Sequence, residues 1–152
     1  NTQNQGCGGT LVGDRYVITA AHCTAGSSPS NINVLIGDTT IGVANDTTRF
    51  IRTLSEIRQH PAYDSSTTEN DIAVLVLSSP VDMYAHPNIK PACLPTTETK
   101  ADLYGRNAVV SGWGTVSAGG LQTSHLHEVI VNILSGCGNV GGIKIHLKIS
   151  IV

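Results

Sequence analysis

An all-β chain, folded as a barrel or sandwich of short strands, is the class predicted by this 152-residue sequence. Three observations predict it. Charged residues make up only 13% of the chain while glycine occurs 16 times, a loop-rich β composition unlike that of a helical bundle. Short apolar runs rich in Val, Ile and Thr recur, separated by Gly, Pro, Asn and Ser in gaps such as AGSSPSN, SSP and SAGG. No segment sustains the 3.6-residue periodicity of a long helix.

Taken in order, strands are expected over Thr10–Val12, Tyr16–Thr19, Asn33–Ile36, Arg49–Arg58, Ile72–Leu77, Asn107–Ser111 and Leu126–Leu134. The AAHC stretch between the second and third reads as a single turn. Thr96–Gly105, TTETKADLYG, is polar with strand signals on both sides and reads as a linker. The closing GIKIHLKISIV alternates apolar with basic or polar positions, so locally it reads as a strand. Its vocabulary is unlike that of the residues before it, and it is either a genuine amphipathic strand or a tail foreign to the domain. There is no internal repeat.

Composition also excludes function classes. A net charge of −2, from 9 basic and 11 acidic residues, argues against a nucleic-acid partner. The longest clean apolar run, Ile72–Leu77, is far short of a membrane span. The opening NTQNQ lacks the basic start and apolar stretch of a secretory signal, so either the protein is cytosolic or a leader precedes this sequence. The four cysteines, Cys7, Cys23, Cys93 and Cys137, favour the second option. Spaced by 16, 70 and 44 residues, they form no CxxC pair, which argues against structural zinc and for a disulfide framework in an oxidising compartment. The sequon Asn45-Asp46-Thr47 agrees weakly with secretion and makes Asn45 a candidate glycosylation site.

The residues that suggest chemistry begin at TAAHC, Thr19–Cys23. A histidine against a cysteine after a strand suits a metal site, a redox site or a catalytic base pinned by a disulfide. Asp71 follows His22 by 49 residues and leads directly into the most apolar strand. A carboxylate held rigid there can accept a hydrogen bond from an imidazole, fix its tautomer and stabilise the imidazolium. His22 and Asp71 thus supply two members of a nucleophilic triad in the order His…Asp.

Here the chain resembles the trypsin- and chymotrypsin-like serine proteases. CGGTLVGDRYVITAAHC, RQHPAYD…ENDIAVLVLSSPV, IKPACLP, VVSGWGT and LHEVIVNILS are similar to that family's successive motifs, in the right order from Cys7 to Ser135. The resemblance implies a trypsin-like double β-barrel, with His22 as general base, Asp71 orienting it and a Cys7–Cys23 disulfide beneath the histidine loop. It implies no metal and no cofactor, a secreted, extracellular setting, and protein or peptide substrates. Its SGWG makes Trp113 the entry to the second barrel, and His60 in QHPAY is expected to pack and not to react.

The family's serine lies in a GDSGGP segment, and none occurs among the 81 residues after Asp71. Ser117 and Ser135 have glycine neighbours without the preceding Gly-Asp, and neither is expected to meet His22. Cys137 in SGCG is read as a structural or orphan thiol. Cys93 in PACLP resembles the cysteine that tethers a propeptide or light chain, and Val109 stands where the family usually has a cysteine. The start NTQNQ lacks the family's IVGG-type terminus. The expected organisation is a first barrel over 1–95, a connection over 96–106, the start of a truncated second barrel over 107–137 and an atypical tail over 138–152. A partial transcript, or readthrough into non-coding sequence, would account for such a tail. The leading expectation is a partial chain of a secreted serine endopeptidase, inactive alone for lack of the nucleophile. The alternative is a non-catalytic protease homologue acting as a protein-binding module.

Overall fold

The computed structural model describes residues 6–42, 49–117 and 120–135. Asn45, Cys137 and the expected tail lie outside them. Seven strands are present among the described residues: β1 (Gly9–Leu11), β2 (Tyr16–Thr19), β3 (Asn33–Ile36), β4 (Phe50–Gln59), β5 (Ala73–Leu77), β6 (Asn107–Gly112) and β7 (His127–Asn132). They match the expected strands to within a few residues at each end. The all-β reading is correct, and the first five strands form a curled sheet of the kind found in a trypsin-like barrel.

That sheet runs in the order β1-β2-β5-β4-β3, with every neighbouring pair antiparallel. β5 occupies the centre because AVLVL buries Ala73, Leu75 and Leu77 while Val74 and Val76 are half covered. A strand covered on both faces needs such a run and not a strict apolar–polar alternation. The ten residues of β4 serve two partners. Its first half pairs with β3, from Phe50 opposite Ile36 to Thr53 opposite Asn33. Its second half pairs with β5, from Leu54 opposite Leu77 to Gln59 opposite Ala73. A bulge at Ser55 shifts the register between Leu54 and Glu56, and an extra residue there bends the strand. The sheet therefore curls onto itself around one core of Val17, Ile32, Val34, Ile36, Leu54, Leu75, Leu77 and Val81.

β6 and β7 pair with each other in a second, two-stranded sheet, from Asn107 opposite Asn132 to Gly112 opposite His127. Little covers it: Val109 is 63% exposed and Ile130 66%. It is joined to the first sheet at the loop after β3. The carbonyl of Thr39 accepts hydrogen bonds from the buried Trp113 indole, at 3.3 Å, and from the Leu126 amide, at 2.9 Å. Ile41 N–H donates to the Ser124 carbonyl at 2.8 Å, and Thr40 bridges to His125. Asp38 braces this loop from within, accepting from the Thr40 amide at 3.0 Å and the Arg49 guanidinium at 3.4 Å. Trp113 is thus both a core aromatic and a fastener between the halves.

The connection between the two sheets departs from expectation. The Thr96–Gly105 linker contains a single helical turn, α1 (Lys100–Leu103). A capping box starts it: the Asp102 carboxylate accepts from both the Thr99 amide and the Thr99 hydroxyl at 2.7 Å. The T-x-x-D spacing carries that signal in the sequence, but a turn this short leaves no periodicity to read. No described helix is long and apolar enough to cross a membrane.

Stability should follow this division of the core. Leu75 is fully buried, so Leu75→Ala is expected to cost about 2–5 kcal/mol in urea unfolding. Ile130→Thr, on the open ribbon, is expected to change stability by no more than about 0.5 kcal/mol.

Candidate active site

β2 and β5 are neighbours, with Thr19 opposite Ala73 at one end of their ladder. His22 lies three residues beyond Thr19 and Asp71 two before Ala73. The antiparallel register therefore delivers both to the same edge of the sheet. At that edge the chain after β2 tightens into a 3-10 turn, Ala21–Cys23. Cys23 is disulfide-bonded to Cys7, with Cα atoms 5.9 Å apart, so the turn is tied to the chain just before β1.

Three polar side chains hold the turn from below. Thr24, buried, donates its hydroxyl to the Ala21 carbonyl at 3.0 Å. Gln59, the last residue of β4, donates its amide to that same carbonyl at 3.2 Å and to the Thr24 hydroxyl oxygen at 2.8 Å. Thr19 donates to the Gly8 carbonyl at 2.6 Å. Sequence reasoning missed these residues, since an isolated Thr or Gln has no signature; only the small polar residue directly after the cysteine hints at one.

Asp71 is placed by the β4–β5 connection. The His60 amide donates to the Ile72 carbonyl at 2.9 Å, and the Ile72 amide to the Asn70 carbonyl at 2.7 Å, a tight turn centred on Asp71. Asn70 enters it at a φ of 56°, a left-handed conformation that Asn adopts more readily than most residues. Its side-chain amide donates to the Ala62 carbonyl at 2.9 Å, anchoring the loop.

The Asp71 carboxylate then meets His22 twice. One oxygen accepts the His22 backbone N–H at 2.8 Å, and the other lies 2.6 Å from imidazole Nδ1. Burial is the largest single influence on Asp71 and pushes its pKa up. The His22 amide, the His22 ring and the Ala21 amide together outweigh it, so the carboxyl titrates below its usual range. Asp71 is therefore ionised near neutrality and can only accept, which makes Nδ1 the donor. Nε2 is left as the acceptor nitrogen, 3.5 Å from Cys23 Sγ, on a side chain that is 45% exposed against 24% for Asp71. A ring held in this way can take a proton at Nε2 while the carboxylate stabilises the resulting charge.

The other candidates lie elsewhere. His60 is exposed and does not pack as expected: its Nδ1 accepts the Ala62 amide at 3.2 Å, because the tight turn at Pro61 leaves it over solvent. Ser117, in the loop after β6, and Ser135, after β7, are exposed on the two-stranded half. Cys93 carries an exposed thiol outside any disulfide.

Two outcomes follow from this geometry. Replacing both Cys7 and Cys23 by alanine should cost about 3 kcal/mol, the chain-entropy value for a loop of this length, read by urea unfolding. Because the folded state lowers the Asp71 pKa, its stabilising contribution is complete above about pH 4, the range where the carboxyl titrates in the unfolded chain. It is lost as pH falls through the lower, folded value. Wild type should therefore exceed Asp71→Asn in stability at pH 5–7, and the gap should close on acidification, as followed by circular dichroism.

The architecture agrees with sequence comparison. The Trypsin family model matches residues 1–146. The chain is 42% identical over 134 residues to Serine protease filzig of Drosophila melanogaster, covering 88% of this chain and 8% of that protein. It is 37% identical over 135 residues to Trypsin of Saccharopolyspora erythraea, covering 86% of this chain and 54% of that one. With Serine protease 1 of Rattus norvegicus it shares 36% over 124 residues, covering 82% and 46%. The chain thus spans about half the length of the trypsins it matches, and far less of filzig. By matched length and by identity to these proteases, the chain belongs to the trypsin family.

Proposed function

We propose that this chain carries the proton-transfer half of a secreted serine endopeptidase, which hydrolyses peptide bonds of protein substrates by acyl transfer. His22 is the general base and Asp71 its orienting partner. The observation that carries this reading is the double contact between them, at 2.6 Å to Nδ1 and 2.8 Å to the backbone amide. One bond sets the tautomer; the second stops the carboxylate from rotating away. As base, Nε2 would take the proton of an attacking hydroxyl and later return it to the leaving amine.

The nucleophile is a serine outside these 152 residues, in a segment that also supplies the oxyanion hole and the specificity pocket. A base accelerates attack only when the nucleophile's proton is within about 3 Å. The tetrahedral intermediate further needs donors, each worth roughly 3 kcal/mol. The chain by itself is therefore inactive, and the exposed apolar residues of the β6–β7 ribbon are a surface for further strands or a partner chain. The exposed Cys93 thiol is available to a propeptide or light chain.

A serine-directed phosphonate probe and a panel of peptide substrates test this. The 152-residue chain should show neither labelling nor turnover. Labelling of Ser117 or Ser135, or turnover abolished by His22→Ala, would overturn it. In the complete parent, Asp71→Asn should lower kcat about 10^4-fold, the cost of the wrong histidine tautomer in a Ser-His-Asp triad. An unchanged kcat would remove Asp71 from the mechanism.

A further inference from the structure

The disulfide beneath the histidine turn does more than brace it. The donor atoms of Cys7, His22 and Cys23 all lie within 4.8 Å of one another. In the bonded state the two sulfurs satisfy each other and hold no cation. We propose that, once this disulfide is reduced, Cys7, Cys23 and His22 form a binding site for a zinc ion.

Donor chemistry comes first. Two thiolates and a neutral imidazole are the soft and borderline ligands zinc prefers, as in sites with three protein ligands and one water. A tetrahedral ion with Zn–S of about 2.3 Å and Zn–N of about 2.1 Å needs roughly 3.5 Å between sulfur and nitrogen. Cys23 Sγ already stands 3.5 Å from His22 Nε2. The same geometry needs about 3.8 Å between the sulfurs. A side-chain rotation at half-buried Cys7 can supply that separation without moving either Cα.

The surroundings are also those of a metal site. Zinc-ligating histidines donate their second ring N–H to a carboxylate, which fixes the ring and raises the basicity of the ligating nitrogen. Asp71 does this to Nδ1 at 2.6 Å, with its other oxygen on the His22 amide. Gln59 and Thr24 hold the turn that carries two of the three donors. His22 is exposed, so water can reach the fourth position.

The steps balance. A phosphine reductant gives two electrons to the S–S bond and takes the oxygen of one water to become a phosphine oxide. That water's two protons leave Cys7 and Cys23 as thiols. Zinc then displaces both protons, forming two Zn–S bonds and one Zn–N bond. Metal on Nε2 occupies the electron pair that the proposed base would use, so reduction with zinc holds the site inert. Metal binding itself does not depend on the peptidase reading.

The test uses the full chain with Cys93→Ser and Cys137→Ser, so that no other thiol competes. Oxidised and phosphine-reduced samples are titrated with zinc against a chromophoric chelator, and with cobalt as a spectroscopic probe. The reduced chain should bind one zinc, at least about 100-fold more tightly than the oxidised chain. Cobalt should give thiolate charge-transfer bands and the intense visible bands of a four-coordinate ion. His22→Ala should weaken binding by more than about 10-fold, and Asp71→Asn by about 10- to 100-fold. Cys7→Ser should remove the charge-transfer intensity of one sulfur. Equal affinity in both redox states, or no effect of His22→Ala, would overturn the proposal. So would a loss of sheet circular dichroism on reduction that zinc fails to restore.

Discussion

The antiparallel ladder between β2 and β5 is the constraint on which the site depends. It sets Thr19 opposite Ala73, and that one pairing brings together two side chains 49 residues apart. A slip of one residue would turn Leu75 and Leu77 out of the core and carry the turn that holds Asp71 out of line with His22. Core packing and site geometry are therefore the same restraint. The apolar residues of β5 hold the register that the polar pair requires, and the turns at either end of the ladder complete the alignment.

Around that ladder the structure invests in a short turn. A 3-10 turn leaves backbone groups without helical partners, and a buried carbonyl without a donor is costly. The Ala21 carbonyl is met by the Thr24 hydroxyl, the Gln59 amide and the Thr24 backbone N–H. The disulfide closes the remaining freedom from the far side. What results is a braced turn from which the imidazole stands exposed. Such bracing matters because a hydrogen bond at 2.6 Å orients a ring only if neither partner can drift.

The two sheets differ in how completely they bury themselves. The five-stranded sheet curls around its own core, whereas β6 and β7 expose Val109, Val129 and Ile130 and meet the rest through Trp113 and a few backbone bonds at residues 39–41. An isolated two-stranded ribbon is marginal in water. Its exposed apolar side chains are a surface that further strands would cover.

Much of this was legible in the sequence, and the reason is local. Alternation and apolar runs set seven strands to within a few residues, because period and turn chemistry are properties of neighbouring residues. The motif around His22 and the carboxylate ahead of the most apolar strand named the pair that lies in contact. What the sequence could not carry was whatever joins distant segments or spans too few residues to show a pattern. Gln59 reaches Ala21 across 38 residues, and nothing in its own neighbourhood marks it. The one-turn helix at Lys100–Leu103 is too short to show periodicity, and His60 is set over solvent by the fold of its turn. The bulge at Ser55, which lets one strand serve two partners, exists only once β3 and β5 are both in place. Local chemistry determined the elements and the two residues that pair; their distances were decided by the register of a ladder, which is a relation between strands and belongs to neither alone.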